Sequence, residues 1–484
     1  MVSATSATSA TSAASAALAV LAALAAVAGA ARGAGPAPAD ASRPTAPAPA
    51  PRLLAPPWIE PGAAPLPTWV RSARALKQDQ PILVAPSATA ARRGSAQKSA
   101  ELPIYAARRG EGCEGRWLAV GPAAWVCEDA VELSRTGPLD PLARTWRDMP
   151  DGLPFRYYFV GPDGSFGYQR IEAADAGEPD AQLEPGFAVA IVEERLEGGT
   201  RYGRTNRGLW VPMRDLAPIF GFAFSGAEIP SGAPGAPGVP GVPGAPGAPG
   251  VPGITEIPFA WVVAEKARVH AREPGRVFTP TSESKARFEK VPVLEEIDTP
   301  AGRFARIAGD AGSKAGEAWL ALRDLRRPTW APPPPEVDAD AGERWIDVDL
   351  ATQTLVAYEG RRAVFATLVS SGKGRKGSAN ATPPGTYRIW AKLLTSDMDN
   401  LEDESASRYY RMEDVPYVQY FSKGVGLHGA FWHRSFGRVR SHGCVNLAPL
   451  DAQRLFWWTS PRLPAGWTAT LPTAHEPGTV VRVR

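Results

Sequence analysis

From residue 232 to residue 253 the chain repeats Gly-X-Pro seven times and closes on a glycine. One residue in three lacks a backbone N–H and another lacks a side chain, so neither a helix nor a sheet ladder can run through the segment. The period is that of collagen, but seven triplets with no neighbouring repeats make too short a triple helix, and the segment reads as a stiff linker. A chain of 484 residues interrupted in this way folds as several units. Its 50 prolines and 48 glycines mark two further joints: a Pro/Ala-rich spacer at 34–67 and a run of four prolines at 332–335. The expected division is a leader at 1–30, a linker at 31–75, small units at 76–136, 150–220 and 257–328, linkers at 226–256 and 329–342, and a C-terminal unit at 343–484.

The three small units share an ending. Ala124-Trp125-Val126 leads to Asp129; Leu209-Trp210-Val211 leads to Arg214-Asp215-Leu216; Ala318-Trp319-Leu320 leads to Arg323-Asp324-Leu325. Each closes a segment of roughly 60–70 residues made of short β-rich runs such as 116–120, 188–192 and 304–307, cut by Gly, Pro and charged turns. That is the pattern of a small barrel, with the three tryptophans read as core plugs rather than ligand contacts. In the C-terminal unit, 345–350 alternates at period two, and 354–358 and 363–369 flank a Glu359-Gly360 turn as a hairpin; 449–458 reads as a helix opened by proline. The fold class expected is mainly β and multi-domain, with few helices.

Residues 17–30 are a run of Ala, Leu and Val with one Gly, followed by Arg32, and Ala28-Gly29-Ala30 offers a small-residue cleavage site. This reads as a secretory signal, although residues 1–15 carry no Lys or Arg. No other stretch is long and apolar enough to span a bilayer. The expectation is export to the periplasm or cell wall, with membrane contact only through the signal.

Chemistry concentrates in one place. His428-Gly429 is followed by Ser441-His442-Gly443-Cys444-Val445-Asn446, so a histidine stands 16 positions before a cysteine framed by small residues. A cysteine attacks carbonyls as its thiolate, and no Asp or Glu lies between Val415 and Leu450 while Lys423, Arg434, Arg438 and Arg440 do, a field that favours an anion at sulfur. The residues suit acyl transfer through a thioester. Two other readings compete: an inert buried thiol, and a zinc site from His428, His433, His442 and Cys444, whose spacing lacks the paired cysteines or i, i+4 histidines of such sites. No metal and no cofactor is expected. Of the three cysteines, Cys113 and Cys127 lie close in one unit and are candidates for a disulfide, or are reduced core residues.

The pattern HG, a spacer, then SHGCVN resembles the YkuD-type L,D-transpeptidase catalytic domain of bacterial cell-wall enzymes. Leu368-Val369-Ser370-Ser371-Gly372 and Thr382-Pro383-Pro384-Gly385-Thr386-Tyr387 resemble two further family motifs in the expected order. The resemblance covers about 343–484 and implies a β-rich catalytic domain in which Cys444 is the nucleophile, His428 the base and acid, and the carbonyl beside Gly429 the orienter of the imidazole. It further implies that Ser441, His442 and Gly443 shape the pocket, with oxyanion donors at the Gly443 and Cys444 N–H groups. A substrate carboxylate falls to Asn446, where many members carry Arg, or to Arg440 or Arg438. The implied substrate is a peptidoglycan tetrapeptide stem; the acceptor is a stem amine, a protein lysine or water. The endings of the three upstream units resemble bacterial SH3-like modules, which implies binding of peptide stems or glycan. A non-catalytic wall-binding scaffold is the reading from a different class.

A net charge of +3 gives no electrostatic footprint for nucleic acid. Residues 343–484 hold 18 Lys or Arg against 13 Asp or Glu, an excess of 5 that suits an anionic polymer. The acidic stretch 397–414 reads either as a solvated loop or as a lid over the site.

Overall fold

The computed structural model describes residues 64–139, 151–221, 224–229, 259–308, 317–400 and 410–484, apart from 276, 376 and 379. The expected leader, most of the first linker and the Gly-X-Pro run lie outside the described residues. The protein is mainly β, with several sheets and one helix of substantial length, Pro449–Trp458.

Each small unit ends as strand, single 3-10 turn, strand, and the last strand returns to pair antiparallel with the unit's first. Ala124–Cys127, Glu128–Ala130 and Val131–Ser134 close on Ser72–Ala75. Trp210–Pro212, Met213–Asp215 and Leu216–Pro218 close on Arg156–Val160. Ala318–Ala321, Leu322–Asp324 and Leu325–Arg326 close on Phe259–Val262. The residue six positions after each tryptophan (Val131, Leu216, Leu325) is buried, so the turn re-aims the chain into the core it has just left. Trp210 and Trp319 are buried as core plugs, whereas Trp125 is half-exposed beneath the Arg108 guanidinium. Trp117 supplies the buried indole of that unit instead, donating from Nε1 to the Glu111 carbonyl at 3.2 Å. Cys113 and Cys127 are disulfide-bonded.

The C-terminal unit is one continuous ladder. Its strands run in the spatial order Trp467–Thr470, Ala391–Asp399, Arg411–Ser422, Val425–Gly429, Val445–Leu447, Arg362–Ser370, Thr354–Glu359, Arg344–Asp349, Val480–Val483 and Gly385–Arg388. The alternation at 345–350 suggests a strand with one wet face, but both faces are covered. Asp347 is buried because Arg482 and Arg484 bind its two carboxylate oxygens at 2.6 and 2.8 Å. The helix packs across the sheet, and the buried Lys392 ammonium donates to the Phe456 and Thr459 carbonyls at its C-terminal end, where the helix dipole favours a cation.

Three segments expected to be linkers are built into the fold. Ser72–Ala75 is a strand of the first unit; Ala227–Glu228 pairs antiparallel with Phe365 and Ala366; and 329–342 lies against the sheet, with the Ala331 N–H donating to the Tyr358 hydroxyl at 3.0 Å and the Pro332 carbonyl accepting from Arg482 at 2.9 Å. Proline cannot donate to a ladder, but its carbonyl still accepts, which is how this strap is held.

The small units pack directly on the C-terminal sheet. Arg92–Ala96 of the first extends its edge through Trp467–Thr470. The second meets the Arg411–Ser422 strand through the pair Ala188 and Met412. The third packs on the loop before Cys444, where Gly437 has φ +86° and a Cβ would stand 2.5 Å from Val263 Cγ1.

Candidate active site

Two adjacent parallel strands frame the candidate residues. Val425–Gly429 and Val445–Leu447 pair with Leu427 opposite Val445 and His428 opposite Asn446. Side chains alternate along a strand, so Leu427 and Val445 fill the core on one face while His428, Asn446 and the residue just before Val445, Cys444, share the other. Cys444 immediately precedes the Val445–Leu447 strand, at the level of Gly426, and its Sγ lies 3.7 Å from the Gly424 carbonyl. Cys444 is free and partly exposed; His428 is buried.

The imidazole has a defined tautomer. Its Nδ1 lies 3.2 Å from the Gly429 carbonyl, which can only accept, so Nδ1 carries the proton and Nε2 is left as a base. Trp432 stacks on the ring at 5.8 Å. Burial lowers the His428 pKa to about 4, with the Gly429 carbonyl opposing, so the ring is neutral at neutral pH.

The sulfur departs from the sequence expectation. Burial pushes the Cys444 thiol up, and the Gly426 backbone offsets only part of this. Two of the basic residues expected to depress it are directed elsewhere: Arg438 donates to the Val263 carbonyl at 3.1 Å, and Arg440 lies near His433 and His442, where it adds to burial in lowering both pKa values. The Cys444 thiol and the His428 imidazole are therefore both neutral at rest rather than an ion pair.

The turn that delivers Cys444 is pinned by two hydroxyls. Ser441 Oγ accepts from the Gly443 N–H at 3.1 Å and donates to the Cys444 carbonyl. Thr382 Oγ1 accepts from the Gly372 N–H at 2.9 Å and donates to the Gly443 carbonyl at 2.7 Å. Gly443 needs its missing side chain here, with φ +132°. Because Ser441 occupies the Gly443 N–H, that group is not free for an oxyanion. His442 itself is exposed and stacks on Tyr410 at 5.5 Å; Arg440 is exposed at the rim.

His433 is packed among aromatic residues. It is buried against Phe436, its Nδ1 accepting from the Ser435 N–H at 3.1 Å and its Nε2 lying 2.9 Å from the Asn446 amide. Among the described residues, the grouping of His, Cys, Asp and Glu close enough to share a metal ion is Cys113, Cys127 and Asp129, and two of these are joined as the disulfide.

The two described ends of the acidic stretch are strands rather than a loop, Ala391–Asp399 and Arg411–Ser422, and Glu413 and Asp414 are buried. The second unit holds them: Tyr157 donates to the Asp414 carbonyl at 2.6 Å, Asn206 to Asp414 Oδ1 at 3.0 Å, and Arg207 pairs with Asp397 at 2.6 Å. Residues 401–409 lie outside the described residues. Tyr420, opposite Gly426 in the strand flanking the His428 strand, and Tyr410, just before that strand and stacked on His442, carry no motif in sequence.

Residues 343–483 match the sequence profile of the YkuD family, the L,D-transpeptidase catalytic domain, which is less than a third of the chain. Solved structures similar to it include a mutant L,D-transpeptidase of Enterococcus faecium (24% identity, covering 29% of this chain and 50% of that one, TM-score 0.22). The catalytic domain of an E. faecium L,D-transpeptidase solved by NMR is similar at 25% identity over 30% of this chain and 98% of that one, TM-score 0.23. An L,D-transpeptidase from Stackebrandtia nassauensis is similar at 26% identity over 31% and 61%, TM-score 0.20. The chain thus spans half the length of the first of these. A comparison with curated proteins matched nothing.

Proposed function

We propose that this chain is a secreted peptidoglycan L,D-transpeptidase acting through a cysteine thioester. One observation carries the reading: His428 lies opposite Asn446 on a parallel strand pair, with Cys444 immediately before the second strand and the imidazole tautomer fixed by the Gly429 carbonyl. As the sulfur attacks the carbonyl at the L-centre of the stem's diamino acid, its proton passes to His428 Nε2, and the tetrahedral oxyanion takes hydrogen bonds from the His442 and Cys444 N–H groups. Collapse breaks the bond to the terminal D-alanine, whose nitrogen takes the proton back from His428, leaving the acyl group on sulfur as a thioester. An acceptor amine then attacks, giving its proton to His428 and expelling the Cys444 thiolate, which the imidazolium reprotonates. A neutral base beside a neutral thiol suits this cycle, because charge separates only during attack.

The three upstream units are proposed to be SH3-like modules at 64–136, 151–220 and 259–328 that also frame the catalytic domain, and the working compartment to be the periplasm or cell wall. The reading is tested by incubating the full chain with a tetrapeptide stem and following free D-alanine. Wild type is expected to release it and Cys444→Ala to release none; equal release from both would discard Cys444 as the nucleophile.

A further inference from the structure

His433 is buried beside the reactive pair without belonging to it, and its hydrogen bonds are over-determined. A backbone N–H can only donate, so the Ser435 N–H at 3.1 Å fixes His433 Nδ1 as an acceptor. The proton of the neutral ring is then on Nε2, which burial keeps neutral by holding its pKa near 3. Nε2–H faces the Asn446 side-chain amide at 2.9 Å and requires an oxygen there. The two ends of an amide differ little in shape, and the hydrogen-bond network decides which is which. The opposite end of the Asn446 amide is buried with no hydrogen-bond partner. Once the oxygen is turned to His433, that unpartnered end is an N–H2 group. Asn446 lies two residues beyond Cys444 and directly across from His428, on the face they share.

We infer that His433 is a positioning residue whose Nε2–H holds the carbonyl end of the Asn446 amide, so that the Asn446 N–H2 is presented beside Cys444 as a donor to an oxygen of the acyl substrate. The inference rests on the acyl-transfer reading for its substrate half and on the two hydrogen bonds alone for its positional half. His433 is seated from behind by Phe436 at 5.0 Å, itself packed in one cluster with Phe224 and with Trp261 and Val263 of the third unit. The orientation of Asn446 is thus set by residues from three parts of the chain.

Two measurements on the full chain test it. Long-range proton–nitrogen NMR on 15N-histidine-labelled protein is expected to show His433 with its proton on Nε2 from pH 5 to 8; a proton on Nδ1 would overturn the positional half whatever reaction the site performs. Acylation by a tetrapeptide stem is then compared in wild type, Asn446→Asp, His433→Gln and His433→Phe by intact mass. Asn446→Asp keeps an oxygen for His433 but has no donor to offer, and it is expected to lose about 10²-fold in acylation rate with the His433 tautomer unchanged. Gln retains an amide donor and is expected to recover part of the rate that Phe loses. Wild-type rates in Asn446→Asp would overturn the donor role, and equal rates in Gln and Phe would overturn the role of His433. A wild type that forms no adduct would overturn the acyl-transfer reading and the substrate half with it, while the tautomer still decides the positional half.

Discussion

The loop between Gly429 and Cys444 is gripped twice, and the two grips are chemically unlike. On one side the second unit stacks Tyr157 on Phe431 at 4.0 Å and reaches past it with Tyr157, Asn206 and Arg207 to the acidic strands. On the other the third unit sets Val263 against Gly437, where only a glycine fits, and places Arg326 Nε on the Gly437 carbonyl at 2.9 Å. The first grip joins an apolar cluster, in which Tyr157, Ala188 and Ala190 meet Met412 and Phe431, to hydrogen bonds and an ion pair on titratable groups; the second joins close packing to arginine bonds on backbone carbonyls. Contacts on titratable groups respond to pH and ionic strength, whereas close packing does not. The loop that carries His433 and leads to Cys444 is therefore fixed on the third unit's side and conditionally held on the second's.

The largest effect is expected from breaking the fixed side. Gly437→Val must both abandon φ +86° and clear the 2.5 Å approach to Val263, a combination of strain and overpacking that costs about 2–4 kcal/mol. Acylation of Cys444 is expected to fall in parallel, because Phe436 and His433 lose their seat; a variant with unchanged chemical stability and rate would show that the third unit is a passive neighbour.

The second test uses pH on the conditional side. Burial, with Asp397 and Asp414 nearby, raises the Glu413 pKa to about 7 against an ordinary value of 4.5. A carboxyl raised on folding contributes its stability below 4.5 and loses it as pH climbs through 7, a change of about 1–3 kcal/mol. Urea midpoints of wild type are thus expected to fall across that window more steeply than those of Glu413→Gln, and parallel curves would remove Glu413 as the cause. His428 has the opposite sign: its pKa is lowered to about 4, so the stability of its neutral ring is full above 6.5 and is lost as pH falls toward 4. The acylation rate is expected to stay level down to about pH 5 and to drop through 4; a fall centred near 6.5 would mean that the imidazole is not buried as described.

The smallest effect belongs to the surface pair. Arg207 and Asp397 are 2.6 Å apart, but Arg207 is 44% exposed, so Arg207→Ala is expected to cost no more than about 1 kcal/mol and to lose that difference in high salt. A larger, salt-independent loss would make the second grip as rigid as the third unit's and erase the contrast.

The catalytic strands and helix were legible because their signals are local: alternation at 345–350 and 354–358, the Glu359-Gly360 turn, and a proline opening the helix at 449. The motif that singles out Cys444 and His428 is read from spacing alone, which needs no knowledge of the fold. What misled were charges and prolines whose surroundings come from distant parts of the chain. Asp414 looks solvated until Tyr157 and Asn206 bind it. Arg438 looks like a partner for the thiol until Val263 claims it. The 329–342 strap looks free until Tyr358 binds it. Trp125 follows the same repeat as Trp210 and Trp319, yet Trp117 takes its place in the core. Thr382 stood in a recognised loop, but its hold on the Gly443 carbonyl needed the two segments brought together.

The account depends most on Cys444 accepting an acyl group with His428 as its base. Intact-protein mass spectrometry of the full chain after brief exposure to a tetrapeptide stem, alongside Cys444→Ala and His428→Gln, tests this directly. The expected result is a mass gain equal to the stem minus its terminal D-alanine on wild type, a much slower gain on His428→Gln and none on Cys444→Ala. Folded wild type with a titratable Cys444 thiol and no mass gain would contradict the account and leave the chain as a wall-binding scaffold.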